Sequence, residues 1–172
     1  MAVQQKEYPL GECEIKFTPK EGTEVKILRT LKEEECSLVV TTDGYKVEVD
    51  QLEGPYLYNT KLGEAIFKCS TILDIAELTK MTNLMEEGTS GVAFSTSGKP
   101  MQVGKLEIHP LSKGESKDFD ITAPKAFLKP EINIAYKKEG LAKCGLNFEF
   151  AADENPESPT YKKIFTVGNY TK

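Results

Sequence analysis

A chain of 172 residues with 39% hydrophobic and 28% charged residues has room for one domain with a sizeable core, and its composition is neither that of a disordered chain nor that of a membrane-spanning one. A net charge of −5 without a basic stripe excludes non-specific binding of nucleic acid through phosphate neutralisation. The absence of tryptophan weakens carbohydrate-binding and antibody-like readings.

Strand patterns dominate. Residues 12 to 18 alternate strictly, with Cys13, Ile15 and Phe17 on one face, and Pro19-Lys20-Glu21-Gly22 breaks the run. Alternation resumes at Val25 and Ile27 and slips at Leu28, which predicts a bulge or bend. Runs 36–41 (Cys36, Leu38, Val40) and 45–50 (Tyr45, Val47, Val49) flank Asp43-Gly44, a pattern that predicts a tight hairpin turning at that dipeptide. Residues 51–62 carry Gly54-Pro55 and two tyrosines and read as a connection. Strand returns at 64–72, with Ala65, Phe67 and Cys69 on one face. A helix is expected over 74–85, apolar at 75, 78, 81, 84 and 85, capped by Thr71 or Asp74 and stopped by Gly88.

Residues 88–100 read as a Gly/Ser/Thr-rich loop around Val92-Ala93-Phe94. Alternation then marks strands near Leu106 and Ile108, near Ile132, Ile134 and Tyr136, near Leu146, Phe148 and Phe150, and over Lys162 to Val167. About nine short strands and one helix predict a β-sandwich or barrel with a helix packed on it. No apolar run approaches bilayer length, Leu38-Val39-Val40 being among the longest. Met1 to Gln5 lacks the pattern of a secretory signal, so synthesis and folding in a cytoplasm are expected.

The catalytic inventory is thin. Cys13, Cys36, Cys69 and Cys144 have no C-x-x-C spacing and sit among apolar or β-prone residues, where a free cysteine acts as a small buried hydrophobe; a disulfide or metal site is the lesser alternative. His109 is the one histidine, and before Pro110 at a strand end it suits a turn role. No H-E-x-x-H, G-x-S-x-G, phosphate loop or G-x-G-x-x-G occurs. Asp118 and Asp120 are a carboxylate pair of the sort glycosidases use, but acidic residues are frequent here. Glu33-Glu34-Glu35 reads as a solvated turn, and Met81 and Met85 as core. No cofactor and no metal are expected, and an enzyme is disfavoured. A β-sandwich binding module and an assembly subunit are not separated by composition and periodicity alone.

Leu106-Glu107-Ile108-His109-Pro110-Leu111, Asp120-Ile121-Thr122, Lys125-Ala126 and Ala135-Tyr136-Lys137 resemble the second half of bacteriophage major tail proteins of the long non-contractile type. The ending is similar too, in Leu146 to Asp153 and in Ile164-Phe165-Thr166-Val167-Gly168. In the first half Thr41 to Gln51, Glu53-Gly54-Pro55 and the helix around Glu77-Leu78-Thr79 resemble the family's hairpin, loop and helix. The resemblance is carried by the series in order, not by any one motif.

The resemblance implies a single tail tube domain over 1–172, a two-sheet antiparallel β-sandwich with one flanking α-helix. Six copies close into a ring whose inner sheets join as a β-barrel, and the rings stack into a tube that conducts genomic DNA without binding it specifically. Residues 1–10 and 168–172 are expected as terminal arms and 51–62 as an inter-ring loop, with Gly54, Pro55, Tyr56 and Tyr58 as contacts. Implied partners are further copies, the tape-measure protein, the tail terminator and distal tail proteins, with no membrane. The implied location is the virion tail, assembled in the host cytoplasm. A tail-terminator or baseplate ring protein of the same particle is the alternative. Because DNA must slide past the wall, carboxylates are expected along the lumen, with Glu48 and Asp50 first and Glu107, Glu131 and Glu149 next.

Overall fold

The computed structural model describes residues 11–27, 30–31, 34–48, 55–95, 100–134 and 142–170, and only the backbone of 46–48, 55–58 and 87. Among these the chain is mainly β and antiparallel. The strands are β1 (Cys13–Pro19), β2 (Val25–Ile27), β3 (Ser37–Glu48), β4 (Pro55–Ile72), β5 (Met85–Glu87), β6 (Val92–Phe94), β7 (Val103–Pro110), β8 (Ile121–Asn133), β9 (Lys143–Ala151) and β10 (Thr166–Val167). The one α-helix, α1 (Ile75–Met81), lies between β4 and β5. The main sheet runs β2-β1-β7-β8-β9-β4-β3, with β10 also paired to β8; β5 and β6 form a separate hairpin.

That sheet is strongly curled. Three strand spacings separate β1 from β9, roughly 14 Å on a flat sheet. Yet the Phe17 ring of β1 lies 5.2 Å from the Phe148 ring of β9, centroid to centroid. The two flanks therefore face each other across one core of Ile15, Phe17, Phe67, Leu106, Leu128, Leu146 and Phe148. Past β2 the chain crosses to the other flank, where Thr30 bridges Thr71 and the Leu31 amide donates to the Ser70 carbonyl.

The turn at Pro19-Gly22 is present, with the Gly22 amide donating to the Pro19 carbonyl. Ala65, Phe67 and Cys69 are buried on one face of β4, as alternation predicts. Asp74 caps α1 by accepting from the Glu77 amide at 3.1 Å, and Met81 and Met85 are both in the core.

The structure corrects four expectations. The hairpin does not turn at Asp43-Gly44. These residues lie inside β3, opposite Lys61 and Thr60, and Gly44 is not among the positive-φ glycines. A register shift between Val40 and Thr42 changes the exposed face without turning the chain, so a bulge imitates two strands. Second, 55–62 is not a loop but the first half of β4, pairing back along β3 to Glu48; residues 49–54 lie outside the described residues.

Third, the helix ends at Met81, not at 85. Thr82 is extended, and its hydroxyl accepts from the Leu84 amide; Met85 then opens a strand. A β-branched residue with a local side-chain bond competes with helix continuation. Fourth, of Lys162 to Val167 only Thr166 and Val167 are strand, because Lys162 adopts a positive φ of 62° at a turn.

Candidate functional site

β4 joins β9 only from Ile66 to Ile72, whereas β3 and β4 stay paired from Ser37–Lys68 to Glu48–Pro55. The distal half of the pair is thus a two-stranded ribbon extending past the body. Thr41 marks its root, where the Thr41 hydroxyl accepts from the Glu64 amide at 2.8 Å. Further out, Asn59 donates to the Tyr45 hydroxyl at 2.8 Å. Such a ribbon is marginal in water alone. Nevertheless it carries large apolar side chains in the open, Tyr45 58% and Leu62 39% exposed, and Val39, just below its root on the same edge strand, is 51% exposed. Among the described residues no strand pairs with the outer edge of β3. A long apolar edge of this kind is a template for another strand.

The predicted acidic residues do not form one cluster. Glu48 ends β3, opposite Pro55, while Asp50 and Gly54 lie outside the described residues. Pro55, Tyr56 and Tyr58 lie on the β4 half of the ribbon, with backbone alone described. Glu149 on β9 and Glu131 on β8 are exposed on the outer face of the same flank. Glu149 stands between Ile66 and Phe127, and the next row holds Lys68, Asn147 and Lys129, so this face is mixed in charge. Glu107 is elsewhere. It pairs with Lys105 at 2.7 Å on β7, near Thr122, nine residues along β8 from Glu131 or roughly 30 Å at strand rise.

Distant motifs meet at the start of β8. Thr166 pairs with Thr122, Val167 with Ile121, and the Gly168 amide donates to the Asp120 carbonyl at 2.8 Å. Gly168 has φ of 72°, and a β-carbon there would lie 2.6 Å from the Asp118 carbonyl oxygen, so glycine is needed on both counts. Gly168 is thereby anchored to the body and is not the start of a free arm.

His109 closes the same region. Its Nδ1 donates to Asp120 Oδ1 at 2.5 Å and its Nε2 to the Gly114 carbonyl at 2.7 Å, a pairing that needs both ring protons. This is the turn role expected from its place before Pro110. The Asp120 carboxylate holds the imidazole above the ordinary histidine range, against the effect of burial, with the Gly114 carbonyl adding to the rise. Because the folded value is raised, the contribution to stability is complete below the unfolded value near 6.5. It is lost as pH rises through the folded value. Amide exchange across 110–120 should therefore accelerate, beyond its intrinsic pH dependence, as pH rises above the unfolded value near 6.5 and through the raised folded value. In His109→Gln that excess should vanish, and an excess that persists there would contradict this role.

The acidic loop after β9 is organised by Asp153, which accepts from the Asn155 amide at 3.0 Å and the Thr160 hydroxyl at 2.6 Å. Ser158, Thr160 and the Asn155 amide hold its carboxyl below the usual range. Of the pair Asp118 and Asp120, the Asp120 carboxylate is engaged by His109.

The cysteines are core, as expected for Cys69 and Cys144, which are buried, with Cys13 and Cys36 packed against the core. What their spacing did not reveal is convergence. Cys36 precedes β3, and continuing the Ser37–Lys68 register places it opposite Cys69. Donation by Cys13, then by Cys69, lowers the Cys36 thiol, whereas its own demand raises both donors. Cys144 is pushed up to about 11 by burial. Among the described residues no group of His, Cys, Asp and Glu is arranged to hold a metal ion, and no helix is long and apolar enough to cross a membrane.

No family model matches the chain, and no curated protein matches it.

Proposed function

We propose that the chain is the repeating subunit of a phage tail tube, closing as hexameric rings that stack around a channel for genomic DNA. The observation that carries this reading is the β3–β4 ribbon, with its apolar side chains and its open outer edge. An exposed edge of this length invites uncontrolled pairing unless a neighbour covers it, and a closed ring of copies covers every edge at once. The ordered series of motifs resembling major tail proteins supports the same reading. So does the meeting of three of them, around His109, Asp120 and Gly168, at one structural junction.

In this arrangement the flank of β3, β4, β9 and β8 lines the channel. Glu131 and Glu149, exposed on its outer face, are carboxylates of that wall. Glu107, already matched by Lys105, falls outside that wall. A channel face with carboxylates set among lysines repels phosphate without the capture that an all-lysine wall would produce.

Charge on the edge strand tests the proposal. Val39→Lys combined with Val40→Lys should leave the far-ultraviolet spectrum and thermal midpoint nearly unchanged, since both side chains are exposed. The same substitutions should abolish the large species seen by sedimentation velocity of the native protein. If the native protein sediments as a monomer at every concentration, or if the variant assembles equally well, the proposal fails. Rings that never stack would instead indicate the terminator or baseplate role.

A further inference from the structure

We propose that Thr41 is a register lock: its hydroxyl pins a β-bulge at Gly63 and Glu64 and thereby fixes which β3 residue each β4 residue of the ribbon faces.

The pairing locates the bulge. Val40 pairs with Ala65 and Thr42 with Leu62, so one residue of β3, Thr41, stands against two of β4, Gly63 and Glu64. An extra residue of this kind disrupts the ladder locally, bends its strand and re-aims the side chains beyond it. It lies just before Ile66, where pairing of β4 with β9 begins, so the bend falls where the ribbon leaves the body.

Side chains of β3 close over the bulge. The Thr41 hydroxyl accepts from the Glu64 amide at 2.8 Å and donates, more loosely, to the Glu64 carbonyl at 3.4 Å. One side chain thus serves both backbone groups of the displaced residue. Gly63 leaves the room for it. A β-carbon there would lie 2.8 Å from the Thr41 hydroxyl oxygen and 3.2 Å from an Asp43 carboxylate oxygen.

The lock holds one of two registers. Without a bulge the ladder would run on from Val40–Ala65 to Thr41–Glu64, Asp43–Leu62 and Tyr45–Thr60, and a slip of one residue exchanges the faces of a strand. In the register held, Asp43 faces Lys61, an opposite charge, and Tyr45 faces Asn59, which donates to its hydroxyl at 2.8 Å. The slipped register would set Leu62 against Asp43 and part Tyr45 from Asn59.

The test follows amide hydrogen exchange along the full chain, under conditions where it sediments as a monomer. Thr41→Val keeps the branched shape and strand preference and removes the hydroxyl. Exchange at Glu64 and at ribbon amides 42–45 and 59–62 should accelerate about fivefold or more, with β1, β7, β8 and β9 unchanged. Thr41→Ser restores the hydroxyl without the branch and should return the native rates, whereas strand preference alone would rank valine above serine. Gly63→Ala should match Thr41→Val, because its methyl takes the place of the hydroxyl. Unchanged ribbon rates in Thr41→Val, or Thr41→Ser exchanging as fast as Thr41→Val, would overturn the proposal. So would loss of protection throughout the body, since the lock acts on the ribbon alone. Because the amides are read in the monomer, the outcome does not depend on the tail tube reading.

Discussion

Removing the ribbon should abolish assembly while sparing the fold. The cut suggested by the register replaces Gly44 to Thr60 with Asn-Gly, joining Asp43 to its partner Lys61 through a two-residue turn. Pairing of β4 with β9 begins only at Ile66, and residues 41–45 and 60–62 are exposed, so little core is lost. A thermal midpoint within a few degrees of the native protein is expected, with a sedimentation profile of monomers alone. Loss of folding would mean that the ribbon is part of the body, and retained polymers would mean that copies meet elsewhere.

Among the described glycines, Gly104→Ala should be the most damaging substitution. A β-carbon at Gly104 would lie 2.3 Å from the Thr18 carbonyl oxygen and 2.9 Å from two atoms of the Phe17 ring. The first of these is backbone of the neighbouring strand, and the second belongs to a ring held at the centre of the core against Phe148. Neither can yield without parting β1 from β7 or moving the aromatic pair. Overpacking of this kind costs about 3 kcal/mol, which lowers the midpoint by roughly 10 °C in a chain of this size. Gly145→Ala is the control. Its β-carbon would meet nothing closer than 3.5 Å, so a change within about 0.5 kcal/mol is expected. Equal effects at the two glycines would show that the close approach at Gly104 is not what the position requires.

Much of the fold was legible because alternation reports burial directly. Ile15 and Phe17, Ala65 and Phe67, Leu106 and Ile108, and Leu146 and Phe148 all face inward as their spacing predicts. The errors fall where a local device breaks period two. In β3 the register shift at Thr41 changes faces mid-strand, and Asp43-Gly44 beside it imitates a turn. In β8 the inward positions change from 121 and 123 to 126 and 128 across Pro124-Lys125, opposite the irregularity between Gly104 and Leu106. Pro124 was the available signal for that break.

The site was less legible than the core. The open edge of β3 depends on strand order, which no short window of sequence contains. The same is true of Cys36, which the Ser37–Lys68 register places opposite Cys69. His109 was readable as a turn residue from Pro110, whereas its partner Asp120 was not, because the intervening loop is held by the contact itself.

Electron microscopy of the concentrated, purified protein is the most direct measurement. The account predicts rings of six copies, stacked into tubes, with a central hole and with the β3 edge of each copy covered by its neighbour. Particles of single copies, each with that edge in water and no hole between them, would contradict it.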